Sequence, residues 1–425
     1  MERRLIEPGY RFRPARPSRF WQWALTPLRR RVYRRRYLVR DGQLRGEKHV
    51  RWALAQGGGA MITINHPAHG DPFIIFEAMH RLGVPCCYLA AWQVFKGWFG
   101  LKGWAFQRLG AFSIDREGTD LRAFRTAVDV LAQGNRSLVI FPEGEVYHLN
   151  DRVTPLREGA AMIALAAARR RSRSGGSALH ILPCALKYFY LDDPTPQLQS
   201  VMTRLEQRLY WRPQVDRPLL ERIYRYAEAI LGLKELEYLN EFGKGSLPKR
   251  ISRLTEHILS QMEQRRLGRV GDQPIPARVK QLRHHILREW GADEAQGDDA
   301  AAVGENPAGA ELSLEAITAA KRDLEDLNLV TQLFSYPGDY VTQQPSIERM
   351  TETLDKFEED ALGAREAGAR AARRAVVSFA PTIDVTAHLA EAKGSARGAA
   401  GTLTALIEQR IQEQLDQIGQ PQLTK

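Results

Sequence analysis

The sequence is poor in cysteine: Cys86, Cys87 and Cys184 are the only three in 425 residues, two of them adjacent. That excludes a disulfide framework or a zinc ribbon and leads us to expect a reduced, cytosolic protein. All three thiols lie in apolar runs, where cysteine normally packs as core, so cysteine catalysis is not expected. No run approaches the roughly 20 apolar residues of a membrane span, no signal peptide pattern is visible, and no repeat period emerges. Acidic residues are scarce at the start. Residues 1–50 hold 15 Lys and Arg against 4 Asp and Glu, a balance of +11 that equals the net charge of the whole chain. There Phe20-Trp21-Gln22-Trp23 precedes Arg29-Arg30-Arg31 and Arg34-Arg35-Arg36. Aromatics beside arginines suit an anionic membrane surface, where each basic residue adds about 1 kcal/mol. The same charge also suits phosphates of nucleic acid or a plain solvated tail. With no nucleic-acid-binding pattern in view, the membrane surface is the expected partner and nucleic acid is not.

What is present is enough apolar residue, 44%, for a sizeable core in two or three domains, or in one with a large insertion. The organising stretch is Ile64-Asn65-His66-Pro67-Ala68-His69-Gly70-Asp71-Pro72. Before it, Ala60–Ile64 is a short apolar run following the glycine cluster 57–59, and it reads as a buried strand. After it, Asp71-Pro72 reads as an N-cap acid with proline in the first helical turn, and Gly83 as the stop. His66 thus falls on a strand-to-helix loop at the carboxyl end of a strand, where open α/β sheets place their chemistry. A histidine near a carboxylate suits general-base catalysis: the imidazole takes a proton from a hydroxyl, and the acid fixes its tautomer. Two other readings stand beside it. Asp71 serves only as a cap, or His66, His69 and Asp71, with His148 as a fourth, ligate a metal.

Three further stretches follow in order: Gly110–Arg116, a strand ending in arginine; Leu138–Gly144, a strand running into Phe141-Pro142-Glu143-Gly144; and Ile181–Leu186, an apolar strand interrupted by Pro183. With His66 and Asp71 these resemble the four sequence blocks of the glycerolipid acyltransferase family, of the lysophosphatidate (1-acylglycerol-3-phosphate) acyltransferase type. The resemblance covers residues 60–190 well and 375–415 loosely. It implies an α/β fold, a mixed sheet wrapped by helices as in glycerol-3-phosphate acyltransferase, with His66 as base and Asp71 orienting it. The acceptor alkoxide would attack the thioester of an acyl-CoA or acyl-carrier protein directly, backbone donors holding the oxyanion. No cofactor or metal is implied. Arg116 is the candidate for gripping an acceptor phosphate, with Glu143, Gly144 and Lys96 as further substrate-binding candidates. Lys96 lies in Val94–Phe106, an aromatic, lysine- and glycine-rich stretch that reads as an acyl groove or membrane-facing patch, or as a hairpin of helices on the sheet. Where many relatives continue with Thr-Arg-Ser, this chain has Glu145-Val146-Tyr147-His148. One phosphate-binding arginine is missing, with Arg152 or Arg157 as possible substitutes, so a lysophospholipid and a non-phosphate lipid both stand as acceptors. A metal-dependent hydrolase and a catalytically silent membrane-binding module are the other classes.

The domain reading is a basic, aromatic segment 1–50, a core 51–192, a mostly helical insertion 193–371, and a closing strand and helix at 372–419. Within the insertion, residues 291–312 hold six acids and no Lys or Arg and read as a disordered linker. Ala375–Val385 returns to a strand pattern, and Leu403, Leu406, Ile407, Ile411 and Leu415 mark a last helix. The expected setting is cytoplasmic, attached peripherally to a membrane.

Overall fold

A computed structural model describes residues 10–96, 100–116, 120–289, 314–391 and 396–419. The acidic stretch 291–312 lies outside the described residues, as do Trp98 and Phe99 of the aromatic stretch and the first nine residues. The described strands are β1 (Val39–Arg45), β2 (Met61–Ile64), β3 (Cys86–Ala91), β4 (Ala111–Ile114), β5 (Ser137–Ile140), β6 (His180–Tyr190), β7 (Arg373–Phe379) and β8 (Ile383–Asp384). They form one mixed sheet in the order β1-β7-β6-β2-β5-β3-β4, with β8 also paired to β6. β2 through β6 run parallel, whereas β7 and β8 run antiparallel to β6 and β1 runs parallel to β7. The parallel strands are short apolar runs covered on both faces, as parallel sheets require. On one face, helices Leu121–Gln133, Gly159–Arg173 and Ala396–Ile418 bury Leu131, Ala164, Leu403 and Ile411. On the other, helices Glu47–Ala55 and Asp71–Arg81 bury Val50, Ile75 and Met79.

Three local expectations are corrected. Pro183 does not interrupt its strand: β6 runs unbroken through it. Its missing N–H falls between Ile181, which pairs with Ile383 of β8, and Cys184, which pairs with Phe379 of β7. Proline is tolerated where no ladder bond is needed. The same gap divides the 375–385 pattern into two strands. Third, the helix after His66 is capped by Gly70, without a side-chain bond, and Asp71 is its first residue. Gly70 admits the Tyr37 ring, which would stand 2.8 Å from an added Cβ.

Between β6 and β7 the described chain forms helices Thr195–Arg208, Leu219–Leu239, Leu247–Leu267, Ile275–Glu289, Leu314–Phe334, Tyr340–Gln343 and Ile347–Leu362, with apolar clusters of their own. Helix Ile347–Leu362 reaches the carboxyl end of the parallel strands: Glu348 accepts from Tyr190 N–H at 3.2 Å, and Glu352 from Asn150 N–H at 3.1 Å. No helix of the described residues is long and apolar enough to cross a membrane.

Candidate active site

Because β2, β4, β5 and β6 are parallel, the loops after β2, β4 and β5 and the last residues of β6 meet at one end of the sheet. Asn65, fully buried, secures the first of these loops: its Nδ2 donates to Leu186 O at 2.9 Å and its Oδ1 accepts from Leu186 N–H at 2.7 Å. His66 follows, its Nδ1 2.7 Å from Asp71 Oδ2. The same oxygen accepts from Ala68 N–H at 2.9 Å, while the Tyr188 hydroxyl donates to Asp71 Oδ1 at 2.6 Å. Asp71 is therefore fully buried yet bonded on both oxygens. Burial, reinforced by the Asp71 charge, pushes the Tyr188 hydroxyl well above its usual range, so it stays a donor. The His66 ring stacks on Phe141 with centroids 4.2 Å apart, and its side chain is 16% exposed. With Nδ1 turned to Asp71, Nε2 is the nitrogen left for a reacting hydroxyl.

The turn after β5 adds Glu143. Its Oε1 accepts from His66 N–H at 2.9 Å and its Oε2 from the Thr154 hydroxyl at 2.5 Å. Burial pushes its carboxyl up to about 7, against the hydrogen bonds of Thr154 and His66. Gly144 is favoured by its φ of +80°, and the Arg157 side chain lies against it, its Nε 2.6 Å from where a Cβ would stand. Arg116, from the loop after β4, donates to Gly144 O and lies 3.2 Å from Glu145 Oε2. Burial raises the Glu145 carboxyl, but Arg116, Arg157 and Arg283 together hold it below the usual range. Glu145, Arg157, Arg283 and Lys280 line a cavity of about 30 Å³, room for one or two waters. A larger cavity, about 400 Å³, lies at the opposite end of β7 around Phe379 and Arg410 and includes none of these groups.

His66, Asp71, Arg116, Glu143 and Gly144 thus stand at one end of the sheet. Lys96 lies over the ring of Trp92 at 4.2 Å, between the short 3-10 turn Trp92–Phe95 and helix Leu101–Leu109, which pack beside β3 and β4. Arg152 is turned away to Asp339 and Gln343, so of the two arginines considered as substitutes only Arg157 is beside Glu145. His69 and His148 do not join His66 around a common point. They meet Glu359 instead. Sequence reading missed Thr154, which bonds Glu143 from 11 residues away, and also Tyr188, Arg283 and Glu359, whose places depend on partners far along the chain.

In comparison with known proteins, residues 43–187 match the family model described as Acyltransferase. A stretch of 62 residues is 42% identical to the 1-acyl-sn-glycerol-3-phosphate acyltransferase of Streptococcus pneumoniae (strain ATCC BAA-255 / R6). That stretch is 15% of this chain and 22% of the relative, so the match spans about a fifth of the relative's length.

Proposed function

We propose, for a chain that belongs to the acyltransferase family through residues 43–187, that it moves an acyl group from a thioester, acyl-CoA or acyl-carrier protein, to a hydroxyl of a glycerolipid acceptor. The observation that carries this reading is the His66–Asp71 pair at 2.7 Å, with Asp71 further bonded by Tyr188 and Ala68 N–H. His66 Nε2 removes the acceptor proton as its oxygen attacks the thioester carbonyl. Asp71 holds the tautomer and stabilises the imidazolium, which returns the proton to the leaving thiolate. Glu143 and Thr154 fix the backbone of the loop that carries the base. The fold we assign is the glycerol-3-phosphate acyltransferase-like one, with residues 193–371 inserted between β6 and β7.

Lysophosphatidate is the acceptor we favour. Arg116, Arg157 and Arg283 gather around Glu145 and hold it charged, and guanidiniums so gathered suit a phosphate. The head group would displace Glu145 from Arg116, since the present cavity admits only water-sized groups. The test is transfer from acyl-CoA or acyl-carrier protein to a panel of lysophosphatidate, amine-headed lysolipids and non-phosphate alcohols, read by mass spectrometry of the products. We expect lysophosphatidate to be used best; no acylation of any lipid hydroxyl by the folded protein defeats the reading.

Docking at an anionic membrane surface is part of the same proposal. Phe20, Trp23 and Leu28 are 62%, 70% and 56% exposed, beside exposed Arg31, Arg34 and Arg35. Arg29 does not belong to that surface, because it is buried beside Glu77, and Arg30, though exposed, is paired to the same carboxylate.

A further inference from the structure

The acyl-transfer reading leaves one group of ligating side chains unused. His69 lies on the loop between His66 and Asp71, His148 follows the turn after β5, and Glu359 projects from helix Ile347–Leu362. His69 Nε2 is 3.1 Å from Glu359 Oε1, and His148 Nε2 is 3.2 Å from Glu359 Oε2. The rings stand edge to face, 5.5 Å apart, and one ligand atom from each of the three residues falls within 4.8 Å of the other two. Ala367 N–H donates to Glu359 Oε1 at 2.9 Å and helps fix the carboxylate, as partners of ligating carboxylates do.

A plain histidine–carboxylate clamp leaves two features without a cause. His148 is 6% exposed, yet its Nε2 makes no aligned hydrogen bond within the described residues despite lying close to Glu359. Its backbone is also held at φ +53°, a region that costs a residue with a Cβ about 1 kcal/mol or more. A buried imidazole nitrogen aimed between a second imidazole and a carboxylate, on strained backbone, is what metal ligation uses.

We propose that His69, His148 and Glu359 form a binding site for a divalent transition ion of the zinc class. Two imidazole nitrogens and one carboxylate oxygen suit zinc or cobalt rather than magnesium or calcium, which prefer all-oxygen shells. Three protein ligands leave one tetrahedral position for water. His69 is three residues from His66, and Glu359 comes from the helical segment between β6 and β7. The ion therefore ties the loop carrying the base to that segment.

The test needs no acyl-transfer assay, so it stands or falls apart from the proposed activity. Full-length chain without an affinity tag is stripped with a chelator, dialysed against Zn²⁺ or Co²⁺, and analysed for metal. We expect about one ion per chain, a rise in Tm with Zn²⁺, and visible absorption of tetrahedral Co²⁺. Glu359→Gln and His69→Ala should lose all three signals, while His66→Ala keeps them. His69 is partly exposed, so His69→Ala serves even where Glu359→Gln fails to fold, and circular dichroism checks both. Wild type binding no ion, or binding no more than His69→Ala, overturns the site. Binding of Mg²⁺ in preference to Zn²⁺ overturns the metal class.

Discussion

Buried carboxylates are held in two different ways in this molecule. At the carboxyl end of the parallel strands, Asp71 and Glu143 rest on an imidazole, hydroxyls and backbone N–H groups. In the helices between β6 and β7, the most deeply buried acids are tied to arginine: Glu206 to Arg222, Glu235 to Arg250, Glu263 to Arg278, Asp323 to Arg265 and Arg266. Glu352 and Glu359, which face the site, are held by Tyr340, Asn150 N–H and histidines instead. Burial pushes Glu143 and Glu235 alike upward, but the results diverge. Glu143, with neutral donors only, reaches about 7. Glu235, with the Arg250 fork and Gly243 N–H, is brought below its ordinary value. An arginine fork fixes a carboxylate's charge and position and so serves packing. The neutral donors of Glu143 position it equally well but leave its proton exchangeable near neutrality, which suits a region where protons move.

The sharpest way to separate the two regions is to remove one member from each. His66→Ala should lower the acyl-transfer rate by roughly 10²–10⁴-fold, the usual cost of losing a general base, with the unfolding curve nearly unchanged. Arg222→Ala should do the reverse. Arg222 Nη2 and Nε grip Glu206 at 2.7 and 3.0 Å, with side chains 1% and 2% exposed. Leaving Glu206 buried alone costs about 3–5 kcal/mol, read as a fall in the denaturant midpoint. If His66→Ala keeps near-full turnover, the base is elsewhere; if Arg222→Ala melts like wild type, the pair is not what holds its helices.

What was legible in the sequence follows the same division. His66 and Asp71 are five residues apart, and a strand, breaker and helix start placed them on one loop before any tertiary contact was known. The turn Pro142-Glu143-Gly144 was readable for the same reason. Tyr188 is 117 residues from Asp71 and Glu359 is 290 from His69, so only strand order and helix packing bring them in. No local pattern marks a tyrosine on an all-buried strand as an acid's partner, since periodicity reports burial and not what a hydroxyl touches. The acid before proline also reads as an N-cap, but Gly70 takes that place, and the oxygens of Asp71 go to His66, Ala68 N–H and Tyr188. Along one strand Pro183 reads as a break, because the change of partner from β8 to β7 is visible only in the sheet.

The next expectation concerns pH. Glu143 has a folded value of about 7 against an ordinary 4.5. Between those values the native chain holds a proton that the unfolded chain has lost, so this group makes stability fall as pH rises from about 4.5 to 7, and adds no slope above that. The full effect is on the order of 3 kcal/mol. Glu143→Gln should therefore flatten the decline in unfolding free energy across this window relative to wild type, while Glu235→Gln should not. Parallel wild-type and Glu143→Gln profiles would show that Glu143 titrates in its ordinary range.

The smallest expected effect lies where the two kinds of carboxylate adjoin. Glu145 is two residues past Glu143 but is held as the helical segment holds its acids, by Arg116 at 3.2 Å with Arg157 and Arg283 nearby. A phosphate head group would compete with Glu145 for Arg116, and a like charge at the rim of a partly desolvated pocket costs about 1 kcal/mol. Glu145→Thr removes the competitor and leaves three guanidiniums, so KM for lysophosphatidate should fall about fivefold, while KM for an uncharged acceptor hardly changes. Arg283→Ala should raise the lysophosphatidate KM by a similar factor, because Arg283, from the helical segment, supplies charge that the turn after β5 lacks. The opposite outcome is equally informative. If Glu145→Thr weakens every acceptor and an amine-headed lysolipid most of all, Glu145 is itself the head-group contact. The arginines then hold Glu145 in place, and the phosphate acceptor must be given up.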